Sequence, residues 1–327
     1  MTVALVDSGV FPHRDLTGSL RRGTDTVSGG DGKGQIDKDG HGTRMAGVIA
    51  AHGHGNTDGI LGLAPSASLI PIKAIGARDN GKGLADGIEW AATAKADVIN
   101  VSVSAGASRA INDAVEKAIV ADAIVVAGTG NTWENLKLGY PAALPGVLAV
   151  GASNRQGVHA DFSITGPEVG LCAPGVDIAT TGIGNKYEKA DGTSEAAAIV
   201  SGAAALVRAK FPGLSAAEVI HRLTATADDN GPPGRDDQCG YGVLNVVKAL
   251  TADVPPLNPS GSGGAASPSA VSSAGSVAPS GASASPAVAA PEPAGGNLPL
   301  FAGIGAAVVA LGTVLVLLVR RRRRVSS

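Results

Sequence analysis

Short runs rich in valine and isoleucine, alternating with segments of helical period, constrain this chain more than any other feature. The runs are TVALVD (2–7), LIPIKAI (69–75), DVINVSV (97–103), AIVVAGT (123–129) and GVLAVGA (146–152). Continuous apolar runs of this length suit strands buried on both faces. Apolar residues recur at helical spacing in HGTRMAGVIAAH (41–52), LADGIEWAATAKA (84–96), SRAINDAVEKAIVADA (108–123) and SEAAAIVSGAAALVRAKF (194–211), the last stopped by Pro212. A further helix, SAAEVIHRLTATA (215–227), opens with the capping box Ser215-x-x-Glu218. Strand and helix in alternation imply an α/β fold, a mainly parallel central sheet with helices on both faces. Ligands of such sheets lie beyond the carboxyl ends of the strands, where the following helices begin. Asp7 ends the first run, Ser102 to Gly106 follow the third, and Gly130-Asn131 follow the fourth, while His41 and Ser194 each open a helix. All five positions fall on one rim.

The alternation stops near residue 253. Val254 to Asn297 is almost wholly Pro, Ala, Ser, Gly and Val, with Glu292 its one charge. Such a segment cannot bury enough surface to fold and reads as a tether, spanning roughly 35–40 Å as a flexible coil. Leu300 to Val319 then carries no charge and is followed by five arginines, Arg320 to Arg324. Twenty apolar residues match a hydrocarbon core of about 30 Å, and the arginine block places the C-terminus in the cytoplasm. The expected organisation is a catalytic candidate over 1–253, a disordered linker over 254–297, one transmembrane helix over 298–319 and a basic tail over 320–327. With the tail arginines and Glu292 set aside, 21 basic and 27 acidic residues remain in the first part. That balance argues against nucleic acid as a partner. Cys172 and Cys239 have no metal spacing, and they read equally as a disulfide or as two buried thiols. DKDG (37–40) and DDNGPPGRDD (228–237) lack the ligand spacing of a calcium loop and read as solvated turns. No metal and no cofactor is expected.

DGTSEAAAIVSG (191–202) poses the functional question. Ser and Thr ahead of an apolar helix usually cap it. The other reading makes Ser194 a nucleophile beside free helical N–H groups that could bind an oxyanion. A serine hydroxyl attacks an amide only when a histidine takes its proton and a carboxylate orients that histidine. VALVDSGV delivers Asp7 from a strand end into a glycine turn, and DGHGTRMAGVIA presents His41 between two glycines. A nucleophile elbow would need Gly-x-Ser-x-Gly, which this segment does not offer.

In the order Asp, His, Ser, these three motifs resemble those of subtilisin-like serine proteases. The resemblance runs from Val3 to Leu250 and includes DVINVSVSAG, VVAGTGN, LGYPAALPGVLAVGAS, CAPGVDI and GYGVLN. It implies a three-layer subtilisin-like fold and an endopeptidase whose triad is Asp7, His41 and Ser194. It makes Asn131 the side-chain donor to the oxyanion, partnered by the backbone N–H of Ser194. It makes Ser102, Val103 and Ser104 the edge that an extended peptide joins as a strand, with Gly128 and Gly139 lining the pocket for the residue before the scissile bond.

Three departures stand out. Ala198 replaces the family's usual proline four positions after the serine, and Glu195 replaces an apolar residue directly after it. A carboxylate in the first turn suits the helix dipole, and one turned toward His41 would favour the imidazolium. Third, Asp7 follows Met1 almost at once, and an exported domain needs a signal peptide, so the reading frame is expected to continue upstream. A protease domain, a Pro/Ala/Ser tether, one helix and a basic tail together resemble the mycosins, membrane-bound subtilases of actinobacteria associated with type VII secretion. That layout implies a catalytic domain on the outer face of the cell membrane, a polypeptide substrate and secretion-system components as partners. The rival expectation is a catalytically silent subtilase-like scaffold that binds extended peptides without cutting them.

Overall fold

Strand β1 (Thr2–Asp7) sends successive side chains to opposite faces, and both faces are buried. Val3 and Leu5 join one hydrophobic core and Ala4 and Val6 the other. The same division repeats along β6 (Val98–Val101), β7 (Ile124–Gly128) and β8 (Leu148–Ser153). In the computed structural model these strands belong to a seven-stranded sheet with β2 (Thr24–Asp25), β5 (Ser68–Lys73) and β9 (Val169–Pro174). The order is β2-β5-β1-β6-β7-β8-β9, and every pairing is parallel.

The structure describes residues 1–55, 58–76, 81–134 and 136–257. The chain divides into one unit over Met1–Gly264 and another over Ala265–Ser327. Nearly all of the expected linker, the expected transmembrane helix and the basic tail lie outside the described residues. Among the described residues no helix is long and apolar enough to cross a membrane.

One face of the sheet carries α1 (His41–Ala50) and α4 (Thr193–Lys210), with α5 (Ala216–Ala225) and α6 (Val246–Thr251) behind them. The other carries α2 (Lys82–Thr93) and α3 (Arg109–Val120). This is the expected three-layer α/β arrangement. The alanines of α4 explain how it serves as the central helix: Ala196, Ala197, Ala198, Ala203, Ala204 and Ala205 are all buried. Small side chains let the helix lie close on the sheet, and an added methylene there would cost about 1–3 kcal/mol in overpacking. A buried polar contact crosses that interface, where Ser201 Oγ donates to Asn100 Oδ1 at 2.8 Å. The capping box of α5 forms as read, with Ser215 and Glu218 each accepting from the other's backbone N–H.

Several elements differ from expectation. His52, expected to end α1, opens β3 (His52–His54), which pairs antiparallel with β4 (Asp58–Leu61). A second antiparallel pair, β10 (Ile178–Gly182) and β11 (Lys186–Ala190), has no run of apolar residues to announce it. Cys172 on β9 and Cys239 form a disulfide with Cα atoms 4.8 Å apart, which settles the open alternative.

Candidate active site

The C-terminal edge of the sheet gathers the expected residues because β1, β6 and β7 are neighbours in it. Asp7 ends β1, Ser102 follows β6 and Asn131 follows β7, while His41 and Ser194 open the two helices on the same face. Asp7 is fully buried, and its carboxylate accepts from Ser8 N at 2.7 Å. His41 Nδ1 meets both of its oxygens, at 2.8 and 2.9 Å. This pairing fixes the ring and leaves Nε2 for the cleft, which His41 lines with a side chain 20% exposed. Burial works against charging the imidazole. The Asp7 carboxylate, by charge and hydrogen bond, and Glu195, by charge, outweigh it and raise His41 to about 9.

The approach of α1 to β1 needs a glycine after His41. A Cβ on Gly42 would stand 2.1 Å from Gly9 O and 3.2 Å from Asp7 Oδ1. The turn before the helix is held by Asp37, a residue the sequence reading left in a solvated turn. It is buried, and its oxygens accept from Ser8 Oγ, Asp39 N, Gly40 N, Thr43 N and Thr43 Oγ1 at 2.6–3.0 Å. Asp37 thus serves the free N–H groups at the start of α1 that no N-cap side chain reaches.

At α4 the N-cap is Gly192, with no side-chain cap, so Ser194 does not cap its helix. Asn131 takes that task from across the cleft: its Oδ1 accepts from Thr193 N at 3.1 Å and Thr193 Oγ1 at 3.3 Å. With Oδ1 so held, Nδ2 has no partner among the described residues. Among the described residues Ser194 Oγ bonds not to His41 but to the Ser102 carbonyl, at 3.0 Å. Ser102 Oγ returns a bond to Ser194 O at 3.1 Å and accepts from Asn100 Nδ2 at 2.9 Å.

A cleft of about 670 Å³ runs past these groups, lined by His41, Ser102, Val103, Ser104, Gly128, Asn131 and Ser194. Among the described residues the backbone N–H and C=O of Val103 and Ser104 have no hydrogen-bond partners, as an edge awaiting a strand requires. Gly139 lines an adjoining pocket of about 480 Å³ with Ser104 to Gly106, which also border the cleft, and a Cβ on it would meet Ser104 Cβ at 2.6 Å. Beside it, Ala105 and Tyr140 exchange backbone hydrogen bonds of 2.9 and 3.0 Å. The cleft also takes in Asp39, Ile75, Gly81 and Glu134. Among the described residues no three His, Cys, Asp or Glu side chains are grouped to hold a metal ion.

The family model described as "Subtilase family" matches residues 1–242. Subtilisin DY of Bacillus licheniformis is 39% identical over 254 residues, covering 76% of this chain and 89% of its own. Other Bacillus subtilis subtilisins at 39% identity are longer, and the chain spans 65% of their length. Among solved structures, MycP1 from Mycobacterium smegmatis superposes with a TM-score of 0.67 at 31% identity, covering 78% of this chain and 80% of that one. The MycP3 protease from the type VII (ESX-3) secretion system gives 0.65 at 33% identity, over 77% and 83%. Sequence identity above 30% over three quarters of the chain, with the same fold beneath it, places this protein in the subtilase family of subtilisin-like serine peptidases.

Proposed function

We propose that the chain is a serine endopeptidase acting through Asp7, His41 and Ser194. An extended polypeptide pairs with the free edge at Ser102, Val103 and Ser104, which brings a peptide carbonyl to Ser194. The Ser194 hydroxyl exchanges its bond to the Ser102 carbonyl for one to His41 Nε2, gives up its proton there and attacks. The charge that forms on the carbonyl oxygen is met by Asn131 Nδ2 and the N–H of Ser194. His41 then hands the proton to the leaving amine, and water, deprotonated by the same histidine, releases the acyl group from Ser194. The observation that carries this reading is the His41–Asp7 pairing at 2.8 and 2.9 Å on the wall of a cleft that Ser194 also lines.

A serine-directed phosphonate tests it. The full chain should be labelled at Ser194, and Ser194→Ala should abolish labelling. An unlabelled protein sinks the reading and favours the silent scaffold. That rival draws support from the Ser194 hydroxyl resting on Ser102 rather than on His41.

The domain is further proposed to stand on the outer face of the cell membrane, tethered by residues 298–319, near secretion-system components. The uncharged stretch before Arg320 to Arg324 and the likeness to MycP3 support this. Carbonate-washed membranes should retain the full chain and lose one ending at residue 257. Equal retention of both would overturn the tether.

A further inference from the structure

Glu195 is this chain's own departure, and its surroundings set it apart from a dipole-facing surface carboxylate. Only 3% of it is exposed. Its Oε2 lies 2.7 Å from the point that a Cβ on Gly192 would take, and that point is 3.6 Å from Ser194 N and 3.7 Å from Asn131 Nδ2. Glu195 Oε2, Ser194 N and Asn131 Nδ2 therefore all border one small space over Gly192. We infer that Glu195 restrains the peptidase, its carboxylate holding a proton on His41 and opposing the charge that gathers between Asn131 Nδ2 and Ser194 N. The inference rests on the proteolytic reading proposed above.

Two physical points carry it. A charge with so little solvent around it is poorly screened, so its field reaches both reacting groups. Two consequences of that charge oppose the reaction at neutral pH. Attack needs a neutral imidazole, and a nearby anion favours the imidazolium. The tetrahedral intermediate needs its oxygen to become negative, and a second negative charge beside it disfavours that. The charges acting on Glu195 are those of His41 and Arg44 on α1 and of Asp7 on β1. Arg44 is itself engaged by Glu188 on β11 at 3.6 Å. Burial pushes the Glu195 carboxyl above the ordinary carboxylate range, with Asp7 adding to the rise, while its own N–H, His41 and Arg44 work against it.

Glu195→Gln keeps the shape and removes the charge. The rate kcat/KM on a peptide chromophore, measured from pH 6 to 10, should rise about tenfold at pH 7 with KM unchanged. The His41 midpoint read by NMR should fall by about one pH unit, which is the same tenfold gain in neutral imidazole. Glu195→Met, neutral by a different shape, should act in the same direction, and thermal melts of both variants show whether they fold. A purely structural role for Glu195 predicts a lower melting temperature and no gain in rate. An unmoved His41 midpoint, or a rate that does not rise in either folded variant, overturns the inference. Absence of phosphonate labelling in wild type and variants alike, with a midpoint that does move, instead overturns the proteolytic reading and leaves the hold of Glu195 on His41 standing.

Discussion

Asn131 carries two separable tasks, and substitution can pull them apart. Its Oδ1 accepts two hydrogen bonds from Thr193, at 3.1 and 3.3 Å, in a site where the residue is 5% exposed. Each such bond is worth about 0.5–1.5 kcal/mol net, so Asn131→Ala should cost about 1–3 kcal/mol of stability. For a domain of this size that lowers the melting temperature by roughly 2–4 °C per kcal/mol. The second task belongs to Nδ2. A donor used only when charge appears on the substrate oxygen acts on the transition state, so its loss should lower kcat by roughly 10²–10³ with KM little changed. Asn131→Asp divides the two effects. An Asp oxygen still accepts from Thr193 N, so the melting temperature should stay nearer wild type. The carboxylate cannot donate when ionised and stands beside the forming oxyanion, so kcat should fall at least as far as in the alanine variant. Steady-state kinetics on one peptide substrate and thermal melts of the three proteins are sufficient. An unchanged kcat in Asn131→Ala, or a loss appearing wholly in KM, would refute the assignment of Nδ2 to the oxyanion.

The pH–rate profile should reflect His41, raised to about 9. The base works when neutral, so kcat/KM should climb about tenfold per pH unit through neutrality and level off near pH 9; a plateau already reached at pH 7 would contradict the histidine's surroundings. Asp37→Ala would strip five hydrogen bonds from the turn ahead of His41 and should cost at least about 3 kcal/mol, with kcat/KM falling too. Urea melts that match wild type would show that water replaces the carboxylate. The Cys172–Cys239 bridge closes a loop across a separation of 67 residues. Replacing both cysteines with serine should lower stability by about 2–4 kcal/mol, read from the same melts, and a smaller loss would mean that packing alone holds the segment.

Much of the site was legible because the fold rule and the chemistry point to the same rim. Strand ends and helix starts are visible as changes of apolar period, and Asp7, His41, Asn131, Ser102 and Ser194 each sit at such a change. The features that were missed share a physical property: burial made by residues far away in sequence. Asp37 lies in a stretch of Lys, Asp and Gly that reads as solvated, yet Ser8 comes from 29 positions away to cover it, and Thr43 follows with two donors. Glu195 reads from sequence either as a first-turn acid facing the helix dipole or as one turned toward His41, and its burial appears only in the fold. The direction of the Ser194 hydroxyl belongs to the same class, since the Ser102 carbonyl that receives it is 92 residues distant. A motif therefore identifies the groups that meet at the sheet edge. The protonation state and reach of each group are set by residues that the fold alone brings alongside, and in this chain the one that bears on both His41 and the oxyanion site is the carboxylate following the nucleophile.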